Sequence, residues 1–214
     1  MIPVLGVPVL ARPDLLHRMI QSIDADVEHL VIIDNGGVVG PVPHLGNIAN
    51  VHVVSLPSNL GVPASWNLIV KAMPHAPWWL ISNFDVVYPE GALAAMAAAA
   101  RRDAVVLSGA SPPWASFILG DEVVRHIGLF DEGIYPCYWE DVDYQARCEA
   151  QGVDVVATGI RVRHDNSSTL AAVPNRNGDT FPANAAYIAA KRFRHDLSEG
   201  NWSLARRREL AWDA

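Results

Sequence analysis

A chain of 214 residues, half of them hydrophobic and 18% charged, can bury a core large enough for one domain. Its formal net charge of -7 excludes a nucleic-acid binder that works through a broad basic face, so a phosphate-bearing ligand needs a local arrangement of donors. Two cysteines, Cys137 and Cys148, are too few for a disulfide scaffold or a structural zinc cluster, which points to reduced thiols and a cytoplasmic protein.

The apolar opening, residues 1–11, has no basic leader, contains Pro3 and Pro8, and is too short to cross a bilayer. Residues 4–10 read instead as a buried strand, followed by Pro13-Asp14 at a helix start and by Leu15, Leu16, Met19, Ile20 and Ile23 at helical spacing. Residues 29–34 are a second strand ending in Asp34-Asn35-Gly36-Gly37, a sequence suited to a tight turn. A strand over 51–55, a turn at Ser58-Asn59-Leu60-Gly61 and a helix over 63–73 follow, then a strand over 78–82. The alanine-rich run 92–100 predicts a helix too short to span a membrane. Strands over 105–108 and 116–119 precede a helix over 121–127. A helix over 140–151 ends at Gly152, with strands over 153–157 and 160–164 beyond it. Residues 165–182 read as a polar loop, a candidate lid, before helices over 183–197 and 202–212. Arg206-Arg207-Arg208 would allow at most a weak peripheral contact with anionic lipid, and so short a charge run reads as a solvated helix face.

Alternating strands and helices predict an α/β domain whose central sheet is mixed but mostly parallel, flanked by helices. Ligands collect at the carboxyl ends of the strands in such a sheet. Asp34 and Asp85 fall there. A strand-end carboxylate such as Asp85 serves equally as a turn cap or as a ligand for Mg2+ or Mn2+. Glu140, Asp141 and Asp143 open a helix, where its dipole favours acids, yet a carboxylate beside the aromatic run 135–139 is also placed to take a proton from a sugar hydroxyl. His164 ends a strand; an imidazole suits Mn2+, although a lone histidine is more often structural.

The ordered set VIIDNGG, SNLGVPASWN, ISNFDVVYPEGAL, IGLFDEGIYPCYWEDVDYQARCEAQG and VRHDNSST resembles the family 2-like glycosyltransferases of the GT-A fold, especially the rhamnosyltransferase-like branch. The likeness extends over nearly the whole chain, and its most specific stretch is GLFDE followed by EDVD, Arg147 and Gly152. It implies a single Rossmann-like GT-A domain over 1–214, with a nucleotide-binding half at about 1–90, an acceptor and catalytic half at about 91–170, and a C-terminal loop and helices from about 171. By the same resemblance Asp34 contacts the nucleobase, Asn59, Gly61 and Asn67 line the donor pocket, and Asp85 and His164 hold the metal. Asp141 is the general base and Glu140 shapes the site or touches the acceptor. Asn83 stands where many relatives carry the first acid of Asp-x-Asp, and its amide supplies no charge. The first strand also lacks the usual Tyr-Asn-Arg-like ending.

The implied activity is inverting transfer of a sugar from a UDP- or dTDP-sugar, with Mn2+ or Mg2+, to a glycan, lipid-linked saccharide or protein hydroxyl. The alternatives are a non-catalytic nucleotide-sugar binding module and a sugar nucleotidyltransferase. The latter usually needs a glycine- and basic-rich phosphate loop near the N-terminus, where VPVLARP offers little glycine.

Overall fold

The computed structural model describes residues 1–165, 177–200 and 202–210. Its strands are β1 (Ile2–Val9), β2 (Val27–Asp34), β3 (Ile48–Ser55), β4 (Trp78–Ser82), β5 (Val86–Val87), β6 (Ala104–Leu107), β7 (Ser116–Gly120), β8 (Asp154–Ala157) and β9 (Arg163–His164). The helices are α1 (Pro13–Gln21), α2 (Val62–Ala72), α3 (Ala92–Ala99), α4 (Asp121–Ile127), α5 (Glu140–Ala150), α6 (Asn177–Phe193) and α7 (Leu204–Glu209).

Seven strands form one sheet in the order β3-β2-β1-β4-β7-β6-β8, and β5 pairs with β9 in a second, two-stranded sheet. β1 to β4 run parallel, β7 is antiparallel to both neighbours, and β6 and β8 are parallel to each other. This is the expected mixed, mostly parallel α/β sheet. Because side chains alternate along a strand, neighbouring residues enter different cores. Leu30 and Ile32 pack with α1 and α3 residues such as Leu16, Met19 and Leu93. Val31 and Ile33 pack on the other face with Trp66, Ile69, Val123 and Tyr144 from α2, α4 and α5. Burial on both faces explains why the central strands read as continuous apolar runs.

From β1 the chain builds outward through β2 and β3, then returns to place β4 on the other side of β1. The strand order therefore reverses between β1 and β4, and the gap outside their carboxyl ends is the natural ligand crevice of this architecture. No helix among the described residues is long and apolar enough to cross a membrane.

Three expectations change. Of the strand read over 160–164 only Arg163–His164 forms, pairing with β5, a two-residue strand too short to show in the sequence pattern. The polar loop ends earlier than expected, because α6 already begins at Asn177 and contains Pro182. Its inward stripe includes Thr180, Asn184, Ile188 and Lys191, all nearly fully buried; a stripe with three polar members escapes a reading based on apolar periodicity. The last helix is shorter than expected, Leu204–Glu209, and is capped by Ser203, whose hydroxyl accepts the Arg206 N–H. The lid expected from the polar loop falls mostly at 166–176, outside the described residues.

Candidate active site

A cleft opens at the switch point, walled by the end of β1, Asn59 and Gly61, Asn83 and Asp85 beyond β4, Glu140 and Asp141 at the start of α5, and His164. Seven of the residues singled out from sequence thus meet around one space.

The β5–β9 pairing sets Val86 opposite His164, and the Asp165 N–H donates to the Asp85 carbonyl at 3.1 Å. This backbone clamp brings His164 Nε2 to 3.1 Å from Asp85 Oδ1, with Asn83 Nδ2 3.4 Å from the same ring nitrogen. His164 Nδ1 lies 3.1 Å from the Ser111 carbonyl, so it donates there and orients the ring. Burial lowers the imidazole pKa, but the hydrogen bond and charge of Asp85, aided by Ser111 and Asp165, hold it above the ordinary value. With Nδ1 committed to Ser111, Nε2 can carry a proton toward Asp85, or present its lone pair beside the carboxylate to a divalent cation. The donor set therefore fits such an ion, with Asn83 as a neutral neighbour. Among the described residues no group of three or more His, Cys, Asp or Glu side chains could hold a metal ion; ligand oxygens would have to complete the coordination.

On the opposite wall, Tyr138 (φ 70°) and Trp139 (φ 83°) both adopt the left-handed region immediately before α5. Bulky residues rarely sit there, and such strain concentrates at functional sites. The distorted turn leads directly into Glu140 and Asp141. Glu140 is buried and its Oε2 has no hydrogen-bond partner. Desolvation, and then the charge of Asp141, push its carboxyl up to about 8. Half-buried Asp141 is also raised by desolvation, while its Oδ1 accepts the Val142 N–H at 2.8 Å. At neutral pH Glu140 thus keeps its proton.

Asp143, the third acid of the helix start, takes no part in the cleft. It pairs with Arg147 at 2.9 Å and with Lys191 at 3.0 Å, and Lys191 also meets Asp131 at 2.7 Å. These four buried charges join α5, the preceding loop and α6.

In the loop between β3 and α2, the Asn59 side chain accepts the Gly61 N–H at 2.8 Å. Gly61 has φ 82°, and a Cβ there would lie 2.7 Å from the Pro136 carbonyl oxygen. Asp34 and Asn67, expected to touch the donor, are not among the residues that line the cleft. The Asp34 carboxylate faces its own turn and accepts the N–H groups of Gly36, Val38 and Val39 at 3.1–3.2 Å. Asn67 is buried, bonding both the N–H and the carbonyl of Phe130 and also Glu132. Asn35 lines the cleft in place of Asp34, braced by Ser65 and by the Leu60 N–H, each at 2.9 Å. Its position beside Asp34 in the turn was visible; the direction of either side chain was not.

No family model matches the sequence, and no curated protein does. Solved structures do match in fold. One is S. aureus TarS, with 14% identity, a TM-score of 0.61, and coverage of 93% of this chain and 41% of that one. TarS 1–349 in complex with UDP has 13% identity and a TM-score of 0.55, over 76% of this chain and 60% of that one. The inositol-1-phosphate CTP transferase of T. maritima has 12% identity and a TM-score of 0.53, over 78% of this chain and 91% of that one. The chain spans less than two thirds of the length of either TarS structure. It shares its fold with TarS and with the inositol-1-phosphate CTP transferase.

Proposed function

We propose that the cleft is the active site of an inverting glycosyltransferase that moves a sugar from a nucleoside-diphosphate-sugar, UDP- or dTDP-linked, to an acceptor hydroxyl. The observation that carries this reading is the meeting of two acidic sites at one cleft: Asp85 with His164, and Glu140 with Asp141. Asp85 and His164 would hold Mn2+ or Mg2+ beside the donor, and the ion would neutralise charge on the departing diphosphate. Asp141 accepts the proton of the acceptor hydroxyl as its oxygen bonds to the anomeric carbon. The bond from that carbon to the diphosphate breaks on the opposite face, and its electron pair leaves with the nucleoside diphosphate. Protonated Glu140 leaves Asp141 the only anion of the pair. Tyr138, which lines the cleft, would give aromatic surface to a saccharide acceptor, whether free, lipid-linked or protein-borne.

The nucleotidyltransferase reading has the T. maritima likeness in its favour, but the turn after β1 offers little to a triphosphate. Its one cation, Arg12, is bidentate to Asp14 at 2.7 and 2.9 Å, and the turn contains no glycine. A thermal-shift panel of UDP-, dTDP- and GDP-sugars with and without Mn2+ identifies the donor, since a ligand of the native state raises its stability. Labelled donor then separates transfer or slow hydrolysis from binding alone. Asp141→Asn is expected to retain the donor shift and to lose transfer by about 100-fold or more. Near wild-type transfer by that variant would show that Asp141 is not the base.

A further inference from the structure

The arginine run of α7 is not merely a solvated face. Arg206 donates from Nε to the Gly133 carbonyl at 2.8 Å and from Nη2 to Asn184 Oδ1 at 2.9 Å. Asn184 Nδ2 in turn donates to the carbonyls of Tyr135 and Cys137, each at 3.0 Å. Arg207 donates from Nη1 to the Leu60 carbonyl and from Nη2 to the Glu132 carbonyl at 3.0 Å, and its guanidinium lies 4.2 Å from the centre of the Tyr135 ring.

These partners belong to two different loops. Leu60 lies between Asn59 and Gly61 on the donor side, whereas Glu132 and Tyr135 precede Glu140 and Asp141 on the acceptor side. The loops also touch directly: the Tyr135 hydroxyl donates to the Asn59 carbonyl at 3.2 Å, and the Val62 N–H to the Pro136 carbonyl at 2.7 Å. Arg207 does not itself line the cleft. A planar guanidinium suits this junction, because its edge can bind two carbonyls while its face covers a ring; an ammonium cannot do both.

We propose that Arg207 is a positioning residue that holds the donor-side loop in register with the acceptor-side loop, and thereby sets the approach of the acceptor hydroxyl to the donor carbon. This rests on the glycosyltransferase reading of the cleft. Transfer needs both loops aligned, whereas attack by water on a bound donor tolerates misalignment, so losing the clamp shifts the partition between them.

The test compares wild type, Arg207→Ala, Arg207→Lys and Tyr135→Phe in the full chain. Hydrogen exchange is measured without ligand, and the ratio of transfer to hydrolysis is measured with the donor identified by thermal shift. Arg207→Ala is expected to speed exchange about tenfold at both 59–62 and 133–139 and to lower the transfer-to-hydrolysis ratio about tenfold; Arg207→Lys should restore neither. Faster exchange in only one loop or in neither would overturn the proposal, as would an unchanged ratio with both rates falling in step with the folded fraction. Should Arg207→Ala fail to fold, Tyr135→Phe carries the same test, with an expected change of about threefold in both readouts. Wild type with neither transfer nor hydrolysis would overturn the assigned function, and the exchange comparison would still decide the coupling of the loops.

Discussion

Replacing Glu140 by glutamine tests whether the cleft holds a protonated carboxylic acid. Its carboxyl titrates near 8, against 4.5 for an ordinary glutamate, because burial disfavours the charge and Asp141 adds repulsion. Between those values the unfolded chain has lost the proton and the native chain retains it. Native stability from this group is therefore fully present below about pH 4.5 and is lost as pH rises through about 8. At about 1.4 kcal/mol for each tenfold change in proton affinity, the full loss is of the order of 5 kcal/mol. Glutamine keeps the shape and does not titrate, so urea unfolding of both proteins from pH 5 to pH 9 isolates the effect as a difference. Glu140→Gln should gain on wild type by about 1.4 kcal/mol per pH unit across the window and level off above it. Curves that stay parallel to within about 0.5 kcal/mol would refute the reasoning, because they would mean that the native carboxylate ionises without cost.

The buried charges behind the cleft give a second prediction. Lys191→Met leaves Asp131 and Asp143 without their shared cation and should cost about 3–5 kcal/mol in urea unfolding; a loss under about 1 kcal/mol would show that the two acids are satisfied without it. Gly61→Ala combines a left-handed backbone with a clash against Pro136, whereas Gly159 has φ 68° and nothing within 4 Å of a new Cβ. Gly159→Ala should therefore cost about 1 kcal/mol and Gly61→Ala about 2–3 kcal/mol, with a weakened donor thermal shift only in the second. Equal costs and equal donor shifts would remove the close loop contact at Gly61 as the cause.

Much of this organisation is legible in the residues because burial on both faces writes itself as apolar runs. Trp78–Ser82 and Asp121–Ile127 occupy the positions expected of them. The cleft was legible where a residue's location follows from its place at a strand end or helix start, as with Asp85, Glu140 and Asp141. It was not legible where direction decides. Asp34 ends β2, and the turn after it folds back so that its carboxylate accepts three N–H groups. Asp143 and Arg147 belong to the most specific motif in the chain, but their spacing of four along one helix makes a buried pair rather than a piece of the cleft. His164 required a long-range pairing of two short strands that carry no periodic signal.

The two ends of the cleft also depend on the fold in different ways. Parallel strands reversing direction of growth between β1 and β4 make a crevice suited to nucleotides, and that feature is compatible with either a glycosyltransferase or a nucleotidyltransferase. The reaction must be decided by groups added around the crevice. An acceptor hydroxyl has to lose a proton while its oxygen attacks, so an anionic base beside a surface able to receive a sugar is informative in a way that the sheet is not. Asp141 follows the strained aromatic turn Tyr138–Trp139 and shares its position with a neighbour that retains its proton. On the proposed function, that pairing would give the acceptor end one negative charge rather than two, limiting repulsion of the diphosphate while preserving a proton acceptor. Glutamine at 140 should accordingly disturb transfer at neutral pH far less than asparagine at 141. If the two substitutions were equally damaging to transfer, with donor binding and folding intact in both, the division of labour between the adjacent acids would be wrong.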